Sequence, residues 1–430
     1  MNARRIAVVG AGYAGLAAAV ELSETGAAVE VFEASRTLGG RARAIEAEGL
    51  ALDNGAHILV GAYRETLRLM ARVGAAPDRL LRRTPLHLEF PGHFRIKAPR
   101  LPAPLHLAMA LLGARGVSLG DKVAAIRFMR GMEAAGFRIE ADEPVAALLL
   151  RHRQPERLRR YLWDPLCIAA LNTPAAEASS RVFLNVLRDS LAADRSASDL
   201  LLPATDFSSL FPEPAAGWLG ARGSVVNRET RITGVIRTDS GFALAAGERH
   251  FVPFDAVVLA VAPYHLRHLA AGLPGLTPIL DTVDRFAWEP IVTAYLAYPE
   301  RVRLPCPMAG VADGHAQWIF DRGQLCGQPG LLAAVISAHG RHEALEPDAL
   351  AERIHAEIAA MLPGLPRPRW HRVITERRAT FACTPGIARP ATATPVPGLF
   401  LAGDYVAGDY PATIEGAVRS GVAAARAAIA

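Results

Sequence analysis

The stretch that decides the fold reads Ile6-Ala-Val-Val-Gly10-Ala-Gly12-Tyr-Ala14-Gly15, followed after an alanine-rich segment by Val29-Glu-Val-Phe32-Glu33. Residues 6–9 form an apolar run suited to a strand buried on both faces of a parallel sheet. Residues 16–25 read as a helix stopped by Gly26, and residues 29–32 as a second buried strand. The resulting βαβ unit takes about thirty residues, as such units require. Gly10 permits the tight turn, Gly12 lets backbone approach a pyrophosphate, and Gly15 allows close packing of helix on strand. A helix beginning near Ala14 directs free N–H groups and its positive dipole end at phosphates. Glu33 lies 18 residues after Gly15, where a carboxylate accepts from ribose hydroxyls. The pattern predicts a dinucleotide site.

Working outward, Glu33-Ala34-Ser-Arg-Thr-Leu-Gly39-Gly40-Arg41 places a glycine pair where backbone passes close to a bulky group, with Arg41 suited to forking a phosphate. Leu52-Asp53-Asn54-Gly55-Ala56-His57 is a turn rich in polar side chains. Far along the chain, an apolar strand at 398–403 ends in Gly403-Asp404, and a helix over 413–428 follows Pro411. NAD requires a single such fingerprint; here a distant segment returns to the same extended ligand. A further α/β block lies at 225–259. The expected fold is therefore α/β, with a Rossmann-type domain assembled from residues 1–80, 215–264 and 392–430. An inserted α+β substrate domain is expected from 81–214 and 265–391.

At 430 residues the chain exceeds what one core supports, about 250–300 residues. A 51% hydrophobic and 21% charged composition excludes disordered, collagen-like and coiled-coil classes. Four scattered cysteines without a CxxC argue against a disulfide scaffold and a cysteine zinc site, and fit a reducing cytoplasm. No run of about 18 apolar residues predicts a membrane-spanning helix. The net charge of +5 comes without a basic-plus-aromatic module, so nucleic acid is not an expected partner, while an anionic headgroup layer is compatible. Two apolar segments, 101–112 and 145–150, are candidates to line a tunnel for a long chain or to dip into a bilayer; ordinary helix core is the alternative for both and the favoured reading of 145–150. His265 and His268, like His339 and His342, have helical spacing, but no carboxylate or cysteine accompanies them in sequence and no metal is expected.

These motifs resemble the amine-oxidase and phytoene-desaturase superfamily of FAD proteins, whose FAD domain is of the glutathione-reductase type. More closely, Leu52-Asp-Asn-Gly-Ala-His-Ile-Leu-Val-Gly-Ala-Tyr-Arg-Glu-Thr-Leu67, Trp163-Asp-Pro-Leu-Cys-Ile-Ala-Ala-Leu-Asn-Thr-Pro174 and Phe183-Leu-Asn-Val-Leu-Arg-Asp-Ser-Leu191 resemble the hydroxysqualene dehydroxylase family. The resemblance implies that Glu33 and Ala34 meet the adenosine, and that Gly39, Gly40, Arg41, Gly403 and Asp404 lie along the phosphates and flavin. It implies that Asn54, Gly55, Ala56 and His57 approach the isoalloxazine, and that Ile414 and Ala417 cap its far edge. Ile232, in a hairpin expected at 230–235, would sit by the adenine. Relatives often carry glutamine where this chain has Ala56, so no amide is available there to orient the flavin.

The same resemblance implies FAD, held non-covalently, and reductive removal of the hydroxyl of the prenyl lipid hydroxysqualene in bacterial squalene and hopanoid biosynthesis. The enzyme would be cytoplasmic, with peripheral membrane contact open. His57, Asp164 and Asp409 stand as alternative proton donors. Oxidative carotenoid-type desaturation or amine oxidation uses the same cofactor in the opposite sense. A non-catalytic lipid escort is disfavoured by the complete set of glycine motifs.

Overall fold

A computed structural model describes residues 4–55 and 57–430. Five parallel strands form the central sheet, in the order Val225–Asn227, Ala28–Phe32, Arg5–Val9, Ala256–Leu259, Leu399–Leu401. Side chains alternate between its faces. Ile6, Val8, Val31, Ala256 and Val258 pack with the helices Tyr13–Glu24 and Ile414–Ile429. Ala7, Val9, Phe32, Val257 and Leu259 face a different cluster, which includes the antiparallel meander Gly234–Thr238, Gly241–Ala246 and Arg249–Phe254. Both faces are covered, which is why these strands read as unbroken apolar runs.

The hairpin expected at 230–235 lies further along, over residues 234–246. The segment before it is not in a ladder: the Thr230 N–H donates to the Glu33 carbonyl, and the Thr233 N–H to that of Ala245. Ile232 therefore sits on the irregular segment that leads into the hairpin rather than within it.

A second sheet is antiparallel throughout, ordered Met308–Gly310, Trp318–Asp321, Leu331–Ser337, Trp288–Ala297, Trp370–Phe381. Val292, Ala294, Leu332, Ala334 and Ile336 pack in one cluster with Leu350, Ile354 and Ile358 of the helix Pro347–Met361. Ile291, Trp318, Phe320 and Val335 face the opposite way, into a cavity shared with the helices Asp164–Leu171 and Ser180–Leu187. Arg322 locks this sheet to the turn after Leu52 through a 3.0 Å ion pair with Asp53, both side chains being buried. The Asp53 carboxylate also accepts from the Phe207 N–H.

Neither apolar segment singled out in the sequence lines the cavity. The helix Val145–Arg151 buries Val145, Leu148 and Leu149 as ordinary core, because its apolar residues recur at helical spacing against neighbouring helices. The helix Leu105–Leu112 buries His106, Ala110 and Leu111 and turns its other face to solvent. No helix among the described residues is long and apolar enough to cross a membrane.

The two helices flanking the central sheet cross at glycine. A Cβ on Gly421 would stand 2.1 Å from the Ala14 carbonyl oxygen, so any larger residue must push the helices apart. Gly421→Val is expected to destabilise the fold by about 1–3 kcal/mol or more, read as a lowered thermal midpoint together with reduced flavin content of the purified protein.

Candidate active site

The site begins at the turn after the first strand. A Cβ on Gly15 would lie 1.9 Å from the Gly10 carbonyl oxygen, and Gly10 itself has φ +106°, so both positions exclude side chains for internal reasons. Gly12 is different. A Cβ there would meet nothing nearer than the Gly40 Cα, at an unstrained 3.7 Å, so the protein's own packing does not demand glycine; close approach of a ligand does. Gly12 is also the N-cap of the helix Tyr13–Glu24, with no side chain capping it and no acidic residue in the first turn. Its leading N–H groups are left for an anion.

Three separated pieces of chain close around this turn. The 38–43 segment lies against it through a parallel bridge between Gly12 and Gly39, with the Gly39 N–H donating to the Ala11 carbonyl at 3.0 Å. Arg41 then reaches across to the C-terminal segment, donating from Nη2 to Asp404 Oδ1 at 2.6 Å and from Nη1 to the Ala379 carbonyl at 2.5 Å. Glu33 accepts from the Ala11 and Ser35 N–H groups, 2.8 Å each, which fixes its carboxylate at the rim. Arg389 clasps the C-terminal loop, donating to the carbonyls of Asp404, Tyr405, Val406, Gly408 and Tyr410.

These pieces enclose a cavity of about 950 Å³, at the upper end of the range for ligand sites. Its wall changes character along its length. Gly10, Gly12, Ala14, Glu33, Ala34, Gly39, Gly40 and Arg41 line it from the fingerprint side, and Gly403, Asp404, Ile414 and Ala417 from the C-terminal side, with Ile232 between. Leu88, Leu166, Phe183, Leu187, Met308, Trp318 and Phe320 supply apolar wall, interspersed with polar groups such as Asn172, Ser198, Glu376 and Thr380. The Tyr405 hydroxyl, beside Asp404, is buried without a hydrogen-bond partner among the described residues. An unsatisfied buried hydroxyl on a cavity wall calls for a polar ligand.

Not every expected residue reaches the cavity. Gly15 stands behind the turn as a packing glycine, and Gly55 also lies off the wall. Asn54 is turned aside, its Nδ2 donating to the Arg41 carbonyl (3.2 Å) and to Glu376 (3.1 Å). Ala56 lies outside the described residues. Arg41, expected to fork a phosphate, spends its guanidinium on Asp404 and Ala379, because a buried carboxylate beside it is the stronger claim.

The candidate acids separate clearly. His57 lines the cavity, and its Nδ1–H donates to the Gly55 carbonyl, which leaves Nε2 open. Burial pushes its pKa down, and nearby Arg41 pushes it the same way. Asp164, at the start of the helix Asp164–Leu171, is pushed up to about 6 by burial, partly opposed by Arg159. Its carboxyl is not on the cavity wall, although Pro165 and Ile168 are. Asp409 sits on an exposed turn, 70% of its side chain open to solvent and 3.7 Å from Arg188. A turn preceding proline faces water here, and the structure does not bring that carboxylate to the site.

Sequence reasoning missed Tyr264, Tyr405, Tyr410 and Glu376, all on the wall, and Arg389 behind it. Adjacency to Gly403-Asp404 and to Pro411 was an available signal for Tyr405 and Tyr410; Glu376 and Arg389 carried none. It also missed the partners of His339. Glu289 and Glu177, remote in sequence, meet that ring with ligand atoms within 4.8 Å of one another, correcting the expectation that no carboxylate joins it. The hydrogen bond to Glu289 raises the imidazole's pKa, so the trio is an ion-pair cluster. Cys383 is fully buried, its thiol pushed up to about 12, and lies off the cavity.

A glycine-turn cradle on a parallel sheet, opening into an apolar chamber, defines a flavin-dependent oxidoreductase. The pattern of the family described as flavin containing amine oxidoreductase matches residues 13–429. The hydroxysqualene dehydroxylase of Rhodopseudomonas palustris is 32% identical, covering 98% of this chain and 97% of its own. The zeta-carotene desaturase of Synechocystis is 25% identical, covering 99% and 97%. A solved putrescine oxidase mutant superposes with a TM-score of 0.74 at 19% identity, covering 99% and 98%. The chain belongs to the flavin-containing amine oxidoreductase family, and its cofactor is FAD.

Removing Arg41 leaves Asp404, 8% exposed at its side chain, as an uncompensated buried charge. Arg41→Ala is expected to cost roughly 3–5 kcal/mol and to yield protein largely free of FAD, measured by the ratio of flavin to protein absorbance.

Proposed function

We propose that this enzyme removes the hydroxyl of hydroxysqualene reductively, giving squalene. The observation that carries the reading is one continuous cavity whose polar part suits a dinucleotide and whose other part is walled by Leu88, Leu166, Phe183, Leu187, Trp318 and Phe320. A long branched hydrocarbon fits such a wall. The higher identity to a hydroxysqualene dehydroxylase than to a carotenoid desaturase supports the reductive sense. In this reading residues 1–80, 215–264 and 392–430 hold FAD, and the rest of the chain encloses the lipid.

The cradle residues hold FAD by the Gly12 turn and helix N-terminus at the phosphates, Glu33 at the ribose, and Asp404 with Tyr405 further along. FAD in its reduced form supplies a hydride to the allylic carbon that loses oxygen. The protein must exclude water, place that carbon and deliver one proton so that the hydroxyl departs as water. Among the candidate acids, only His57 stands on the cavity wall, and we assign the proton to its Nε2. Its lowered pKa makes the protonated ring a scarce but strong acid at neutral pH.

Anaerobically photoreduced enzyme given hydroxysqualene is expected to form one squalene per flavin, with the flavin reoxidised. Oxidation of a carotenoid precursor or an amine, with hydroxysqualene untouched, would overturn the reading. The rate is expected to fall as pH rises through the range below His57's ordinary value of about 6.5, since the protonated ring is the active form. His57→Gln should lower kcat about 100-fold or more and flatten that profile. A break near 6 that vanishes instead in Asp164→Asn would move the assignment to Asp164, whose pKa is about 6.

A further inference from the structure

Ten large hydrophobic side chains are exposed among the described residues, and six of them fall between positions 101 and 123. Leu105 (56% exposed), Met109 (48%) and Leu112 (48%) follow i, i+4, i+7 spacing along one face of the helix Leu105–Leu112. Leu119 (71%) and Val123 (37%) repeat the pattern at the start of the helix Leu119–Ala134. Leu101 precedes both. Lys122 donates from Nζ to the Leu112 carbonyl at 2.6 Å, so the end of one helix and the start of the next adjoin.

Basic residues outnumber acids along this stretch, although Glu133 lies further along the second helix and Asp194 and Asp199 approach His106. Between positions 97 and 130 stand Lys97, Arg100, Arg115, Lys122, Arg127 and Arg130 against a single acid, Asp121. Asp121 is spent on capping the Ser118 N–H. Lys97 and Lys122 are the only lysines in the chain. Lys97, Arg100, Arg115, Arg127 and Arg130 are exposed, and none of them is in an ion pair among the described residues.

We propose that this face docks on a membrane surface carrying anionic phospholipid. The apolar rows would sit at the headgroup–acyl boundary while the basic rim meets the phosphates. Its composition favours lipid over a protein partner in two respects: the apolar rows carry no aromatic anchor, and the chain's only two lysines stand beside them, whereas protein interfaces are rich in aromatic residues and poor in lysine. The buried side of the same helix backs onto the cavity. His106 Nε2 lies 3.1 Å from the Ser198 hydroxyl, and the Ala98 N–H donates to the Leu86 carbonyl; Ser198 and Leu86 both line the chamber. Only the corollary, that lipid enters from the docked face, rests on the proposed substrate.

The test uses the purified holoenzyme without substrate, floated with vesicles of phosphatidylcholine alone or mixed equally with phosphatidylglycerol. Wild type is expected to float with the mixed vesicles, less with phosphatidylcholine, and to be partly released by salt. The triple variant Leu105→Glu, Met109→Glu, Leu112→Glu should lose about tenfold or more of that binding, with flavin absorbance unchanged. Lys97→Glu with Arg115→Glu should remove chiefly the part that depends on phosphatidylglycerol. Equal flotation of wild type and triple variant, or no flotation of wild type, overturns the proposal. A concentration-dependent dimer in light scattering that the triple variant abolishes would also overturn it, assigning the face to a second copy. Because no substrate is present, these outcomes do not depend on which lipid the cavity takes.

Discussion

The cofactor site depends on one contact, the ion pair of Arg41 and Asp404, formed between residues 363 positions apart. Both ends are largely withdrawn from water, and a buried charge is tolerable only with a partner and further hydrogen bonds. Arg41 has the Ala379 carbonyl as a second acceptor, and the backbone that follows Asp404 is held by Arg389 through five carbonyls. On the other side, the Gly12–Gly39 bridge sets the approach of the segment that carries Arg41. Each link fixes the next, so a ring of short contacts replaces what no single stretch of chain supplies.

The two parts of the cavity have different chemistry because they come from different kinds of sheet. A parallel sheet covered on both faces presents only its strand ends, and there the backbone N–H groups and glycines of the turns meet a ligand. The antiparallel sheet has one face on the helix Pro347–Met361 and offers the alternate residues Trp318, Phe320 and Val335 to the chamber. The result sets a charged cofactor beside a largely hydrocarbon wall, to which the same sheet adds the Glu376 carboxylate.

What could be read from the sequence was what local geometry compels. The strand–turn–helix at 5–24 and the strands at 256–259 and 399–401 announce themselves, because burial on both faces demands unbroken apolar runs and tight turns demand glycine. Residues 401–404 likewise read as strand then turn. Side-chain direction was not legible. Asn54 and His57 share one turn, yet only His57 faces the cavity, and Asp409 faces water. The partners of His339 and the clasp formed by Arg389 depend on tertiary neighbours with no sequence pattern. The hairpin at 234–246 was displaced because Glu33 and Ala245 capture the preceding residues first. The helices at 105–112 and 145–151 look alike in composition, and only packing decides that one is core and the other partly bare.

A chain emerging from the ribosome exposes Gly12 and Arg41 long before Asp404 exists. The fingerprint half must then wait, its turn amides unfilled and its sheet lacking the strand Leu399–Leu401. Such long-separated pairings are slow to form and leave edges open to mispairing meanwhile. A coenzyme therefore meets a complete cradle only once the strand Leu399–Leu401 and Asp404 have joined the fingerprint half.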